Sequence, residues 1–150
     1  MRRIELGVIH CTDTPEGREV SADEIRHWHT SPKPQGNGWK QVGYHGLIHL
    51  GGRLSMWFGV DGDEFLDPLE VANGVRGYNQ KALHFCYVGG KKYYGERRMI
   101  AADTRTREQK LVMQNLVALY TSRYPWIKWC GHRQLDSRKQ CPSFDVPQWL

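Results

Sequence analysis

Apolar and polar positions along this chain follow two rhythms, and together they lay out a sequence of strands and helices. The run Ile4–Thr12 is almost continuously apolar in its middle, as expected for a strand covered on both faces. Ser21-Ala22-Asp23-Glu24 is a capping box, and Ile25, Trp28 and His29 follow at helical spacing. That predicts a helix stopping before Pro32, and the Pro/Gly/Asn-rich stretch from Ser31 to Gly38 then reads as a loop. A second strand is expected near Gly43–Leu50. Gly51-Gly52 then turns the chain into a third at Arg53–Phe58, making a hairpin. Val60 to Lys81 is polar and punctuated by Gly62, Pro68, Gly74 and Gly77, which predicts a long functional loop with room for one helical turn. Ala82–Val88 is the fourth strand, ended by Gly89-Gly90, and the charged stretch Lys91–Thr104 reads as an exposed loop. Thr106 and Gln109 form a second capping box, opening a helix that runs to Tyr124. Its apolar stripe is Val112, Met113, Leu116, Leu119 and Tyr120, and Pro125 ends it. Ile127–Cys130 is a short last strand, and Asp145–Leu150 has room for one turn.

Helices that alternate with strands, one pair of which is antiparallel, predict an α/β (mixed α+β) fold with a central mixed sheet flanked by helices. The 150 residues, without internal repeat, fit one domain, residues 1–150, large enough to bury a core. Charged residues at 25% and hydrophobic residues at 39% match an ordinary globular protein.

No apolar stretch is long enough to span a membrane, so no membrane insertion is expected. The start, Met1 to Gly7, lacks the apolar core and cleavage site of a signal peptide, which predicts a cytoplasmic chain on synthesis. The net charge of +5 favours polyanionic partners without choosing among them. Basic residues are dispersed and aromatics fall mainly within predicted strands and helices, which argues against a nucleic-acid stripe. A monomer is expected.

Cys11 and Cys86 fall in apolar runs and read as small core residues; Cys130 reads as core or a second candidate ligand. Cys141 differs. It precedes a proline in a polar loop beside Arg133, Arg138 and Lys139, and cations of that kind favour the thiolate. His10 ends the first strand and His132 follows the last. Two imidazoles and one thiolate are a common ligand set for catalytic zinc, with a fourth position left to water. If strands one and five are parallel and adjacent, both histidines leave the same sheet edge.

The order of short motifs resembles a known family. V-I-H-C-T at Val8–Thr12 leads to R-x-W-H at Arg26–His29, G-W at Gly38-Trp39 and V-G-Y-H at Val42–His45. Then come G-Y-N at Gly77–Asn79, C-Y-V-G-G at Cys86–Gly90, G-H-R at Gly131–Arg133 and K-x-C-P-S-F-D at Lys139–Asp145. In this the chain resembles the zinc N-acetylmuramoyl-L-alanine amidases of the phage-lysozyme and peptidoglycan-recognition-protein type. The resemblance implies the fold of that family and Zn²⁺ held by His10, His132 and Cys141. It implies catalytic roles for Tyr44 and Lys139, and hydrolysis of the amide between N-acetylmuramic acid and L-alanine in bacterial peptidoglycan. A phage or prophage endolysin, acting on the cell wall after release, is the expected role. Cys141 argues against related recycling amidases, which carry Asp there, and against non-catalytic relatives that have lost the cysteine.

Other residues read as support. His29 and His45 are expected to be structural, His27 exposed, Asn79 in a turn and Asp145 orienting the Cys141 loop; Trp39 packs the loop or forms a sugar-facing wall. The chain also departs from the family's A-x-H-x-x-G-x-N run. Ala72 to Asn79 has Gly74 at the histidine position, and His84 stands where many members have the glycine of S-I-G. The departure keeps a second reading open, a non-catalytic peptidoglycan-binding module, and makes Arg76 and His84 candidates for compensation.

Overall fold

The computed structural model describes residues 1–150. Its strands are β1 (Arg2–Arg3), β2 (Leu6–Cys11), β3 (Thr14–Pro15), β4 (Gly46–Ile48), β5 (Leu54–Met56), β6 (Phe65–Leu66), β7 (Ala82–Tyr87), β8 (Gly90–Tyr94), β9 (Arg98–Ala101) and β10 (Lys128–Gly131). Its helices are α1 (Ala22–Thr30), α2 (Arg107–Arg123), α3 (His132–Leu135) and α4 (Val146–Trp149). The central sheet has the order β10-β2-β7-β4-β5. β10, β2, β7 and β4 run parallel, and β5 returns antiparallel to β4 as the expected hairpin. The mixed sheet flanked by helices is therefore present.

Side chains alternate across the sheet, and this alternation divides the core. On β7, Leu83, Phe85 and Tyr87 join Ile9, Ile48, Met113 and Leu116 in the larger core, under α2. Cys86 faces the other side, with Leu47, Val88 and Ile25 of α1. Val8 and Ala82 pack on that side with Val75 from the long loop.

Both capping boxes form. Glu24 N–H donates to Ser21 Oγ at 3.0 Å and Ser21 N–H donates to the Glu24 carboxylate at 2.9 Å. Thr106 and Gln109 repeat the exchange at the start of α2. The Gln109 amide then donates to the carbonyls of Val88 and Ile48, tying α2 to the ends of β7 and β4. The predicted stripe of α2 needs one correction: Leu119 is 57% exposed, because the buried face centres on Gln109, Met113 and Leu116 and position 119 lies beyond its edge.

A second correction concerns Lys91–Thr104. Most of it is a hairpin, β8 against β9, with Tyr93 opposite Met99 and Gly95 at positive φ in its turn. The ribbon stands away from the core, so Tyr93, Tyr94, Met99 and Ile100 are exposed and no inward-facing apolar rhythm marks it as strand. The long loop from Val60 holds β6 and two short 3₁₀ turns, Pro68–Glu70 and Asn79–Lys81, where the sequence predicts room for one. No helix is long and apolar enough to cross a membrane.

Candidate metal centre and active-site cleft

β2 and β10 are parallel neighbours, with Ile9 in register with Gly131. The residues that follow, His10 still within β2 and His132 at the start of α3, therefore emerge at one sheet edge, with ring centroids 5.0 Å apart. Gly131 ends β10 in extended backbone and caps α3. A Cβ there would run into the ring of Pro142, so glycine at this position lets the Cys141 loop close over β10. Arg133 N–H donates to the Cys141 carbonyl at 2.8 Å, and Tyr87 Oη donates to the Pro142 carbonyl at 2.7 Å. These bonds bring Cys141 Sγ to 3.8 Å from His10 Nδ1 and 3.2 Å from the Cys11 N–H that donates to it.

One donor atom from each of His10, His132 and Cys141 lies within 4.8 Å of the other two. Tetrahedral zinc with bonds of about 2.0–2.3 Å to nitrogen and sulfur needs its ligand atoms about 3.3–3.6 Å apart. His10 Nδ1 and Cys141 Sγ, 3.8 Å apart, stand close to that spacing, and the chemistry of the three donors fits a zinc ion. Burial, then the neighbouring histidines, lowers the pKa of His10 well below its ordinary value; burial, then Lys139, lowers that of His132. Both rings are thereby kept neutral, as ligation requires. The adjacent Cys11 thiol, then burial, raises the Cys141 thiol above its usual range. Of the three cations beside it in sequence, the two arginines are paired with carboxylates, Arg138 with Asp136 at 2.9 Å and Arg133 with Asp145 at 3.4 Å, while Lys139 lines the cleft. Loss of the Cys141 proton thus falls to a bound cation rather than to these arginines.

His10 is buried behind the centre, whereas His132 and Cys141 reach into an open cleft of ≈ 530 Å³. Tyr44, Lys139, Trp39, Lys91 and Arg138 also line it. The cleft continues past Gly74 and His132 to Arg76, Asn79 and Leu135. Tyr44 lies against His10, with ring centroids 4.9 Å apart, and against His29 at 5.1 Å. Burial, then nearby thiols, raises the Tyr44 phenol well above its ordinary pKa.

The remaining residues fall into clear places. His29 Nδ1 accepts from Gly43 N–H at 2.9 Å, and its ring backs Trp39, which is 37% exposed and walls the cleft. His45 Nε2 donates to the Glu70 carbonyl at 2.8 Å, and its Nδ1 accepts from His84 N–H at 3.0 Å. Burial lowers both histidines to about 4. His27 is exposed. Asn79 Oδ1 accepts from Val75 N–H, and Asp145 pairs with Arg133 and caps α4. Cys130 is half-buried beside Val8 and Ala82, away from the three donors, and all four cysteines are free. Reasoning from sequence singled out His84 as a departure but did not place it against His10, and it read Cys11 only as a core residue although its N–H donates to Cys141 Sγ. Strand alternation is the signal that places His84 on the same sheet face as His10.

A mixed sheet whose edge gathers two imidazoles and a thiol at an open cleft has the layout of a metal-dependent hydrolase site. Residues 1–144 match the N-acetylmuramoyl-L-alanine amidase family, and the chain belongs to it. It is accordingly an amidase that cleaves peptidoglycan between N-acetylmuramic acid and L-alanine. Among relatives, the endolysin of Enterobacteria phage K11 is 30% identical over 142 residues, covering 95% of this chain and 82% of that one. The endolysin of Klebsiella phage KP32 is 30% identical over 141 residues, covering 94% and 82%. Among solved structures, the N-acetylmuramoyl-L-alanine amidase LysC from Clostridium intestinale superposes with a TM-score of 0.69 at 18% identity, over 98% of this chain and 81% of that one. Bumblebee PGRP-SA superposes at 0.67 and 19% identity, over 99% and 81%; both likenesses concern the fold.

Proposed function

We propose that residues 1–150 form one catalytic domain in which His10, His132 and Cys141 hold a zinc ion and Tyr44 and Lys139 act on the scissile amide. The observation that carries this reading is the convergence of the three donor atoms at an open cleft also lined by Tyr44 and Lys139. Zinc, when bound, polarises a carbonyl and lowers the pKa of a bound water to about 7. His10 and His132 supply neutral nitrogen and Cys141 supplies a charge that offsets part of the cation's. Tyr44, kept protonated by burial, acts as a hydrogen-bond donor to oxygen rather than as a base. Lys139 carries its positive charge into the cleft and stabilises the negative charge that develops on the carbonyl oxygen. Lys91 and Arg76 line the same cleft and suit the carboxylates of stem peptides.

The biological role we assign is that of a phage or prophage endolysin, supported by the two phage relatives. It acts as a monomer on the wall after release, with its own net positive charge of +5 supplying adhesion. The deciding experiment is mass spectrometry of the products released from purified peptidoglycan, with Cys141→Ala as the control. Stem peptides with a new L-alanine amino terminus, absent in the control, are expected. Uncleaved wall from zinc-loaded protein, across several stem-peptide types, would overturn the roles assigned to Tyr44 and Lys139.

A further inference from the structure

We propose that His84 is a positioning residue of the metal centre: its Nδ1 accepts the Nε2–H of His10 and so keeps His10 Nδ1 unprotonated and directed at the metal. The inference rests on the assignment of His10, His132 and Cys141 as ligands.

The sheet register brings the two rings together. His10 stands opposite Cys86 across β2 and β7, so His84, two residues earlier on the same face, is its diagonal neighbour. His10 Nε2 and His84 Nδ1 are 2.9 Å apart. Both side chains are buried, at 1% and 0% exposure, so water does not compete for the bond.

That bond holds one proton, and its ownership decides whether His10 can ligate. If His84 Nδ1 carries it, neutral His10 must keep its own proton on Nδ1, the atom facing Cys141 Sγ, and cannot bind a cation. If His10 Nε2 carries it, Nδ1 presents a lone pair. A ligand histidine that donates its other N–H to a fixed acceptor is held in both tautomer and orientation. In this second arrangement His84 must carry its own proton on Nε2, and His84 Nε2 is the one buried side-chain polar atom with no partner in the protein. An unmet buried donor is costly, and that cost is more readily borne beside a working centre than in an inert core.

The surroundings hold His84 in place. Its N–H donates to His45 Nδ1 at 3.0 Å and its carbonyl accepts from His45 N–H at 2.8 Å. The two rings lie nearly parallel, at 8°. Position 74 completes the arrangement, since a Cβ on Gly74 would fall into the His84 ring. Gly74 and His84, which depart from the family's run separately in sequence, are one feature in space: the glycine makes room for a histidine delivered from β7.

The test is zinc affinity of the full chain, by competition with a chromophoric chelator, for wild type, His84→Leu and His84→Asn, with circular dichroism to verify folding. Asparagine places an amide oxygen near the position of Nδ1. His84→Leu should bind zinc roughly 10–100-fold more weakly. His84→Asn should recover most of that loss. Undiminished affinity in folded His84→Leu, or equal weakening in both variants, would overturn the proposal. A measurement on the wild type covers the case of variants that do not fold. In the zinc-loaded protein, nitrogen-15 spectra should show a proton on His10 Nε2 with coupling across the hydrogen bond to His84 Nδ1; a proton on His10 Nδ1 would refute it. A wild type that binds no zinc would remove the ligand assignment and this inference together, whereas the other adverse results remove this inference alone.

Discussion

The phenol of Tyr87, buried at the end of β7, donates to the Pro142 carbonyl at 2.7 Å and so ties the loop carrying Cys141 to the central sheet. The Tyr87 ring also lies beside Phe144, at 6.2 Å between centroids, and the Arg105 guanidinium covers Phe144 at 3.3 Å. The loop is thus held by a bond at one residue and by stacking two residues later. Tyr87→Phe should keep the packing and leave the Pro142 carbonyl unpaired. We expect a stability loss of about 1–3 kcal/mol in urea unfolding and weaker zinc binding, read by chelator competition. Unchanged zinc affinity would show that the loop keeps its position without this bond.

Removing the metal should abolish hydrolysis and also lower thermal stability. A ligand that binds only the folded state stabilises by RT ln(1 + [L]/Kd), about 4 kcal/mol at a thousandfold excess over Kd. Treatment with a strong chelator should therefore lower the Tm, and added zinc should restore both Tm and activity. Cys141→Ser should respond weakly to zinc in the same melting experiment. A Tm indifferent to chelator and zinc in the wild type would count against the His10, His132, Cys141 centre.

Tyr44 and Lys139 are assigned to the reaction rather than to the metal, so their loss should separate the two functions. Tyr44→Phe keeps the ring against His10 and His29 and removes only the hydroxyl. Lys139→Ala removes a charge from the cleft wall. Each should lower kcat by roughly 100–1,000-fold, the usual effect of deleting a donor to a developing oxyanion, with zinc content unchanged. Steady-state kinetics beside metal analysis would check this, and a variant that lost zinc along with activity would move that residue to a structural role.

Local rules carried much of the architecture. The two capping boxes, the hairpin after Gly51-Gly52 and the strand leading to His10 all depend on neighbours in sequence, and all are present. Nothing local makes β2 and β10 parallel neighbours; only the need to unite His10 with His132 suggests it, and the register provides it. The β8–β9 ribbon was hidden because both its faces meet water, leaving no core side for its apolar residues to mark. Gly74 and His84 read as two unrelated departures because they are ten positions apart in sequence, and only the closure of the long loop onto β7 sets one against the other. The turning away of Arg138 and Arg133 from Cys141 was equally illegible, since sequence gives proximity but not which carboxylate each guanidinium reaches.

Acid should destabilise the metal-free fold over a definable range. Burial holds His45 at about 4, against an ordinary value of 6.5. Between those values the unfolded chain takes up a proton that the folded chain refuses, so stability rises with pH across this window and falls as pH drops through it. Each pH unit between the two values is worth about 1.4 kcal/mol, so the loss from His45 amounts to roughly 3 kcal/mol at the acid end. His29 is lowered the same way by burial and contributes in the same sense, less strongly because it is only partly covered. Urea unfolding at pH 7 and pH 5, with chelator present so that metal release does not enter, should show the protein clearly weaker at the lower pH. His45→Gln offers a control, since its amide can still donate towards the Glu70 carbonyl but does not titrate. A pH dependence as steep in His45→Gln as in the wild type would place the acid sensitivity elsewhere.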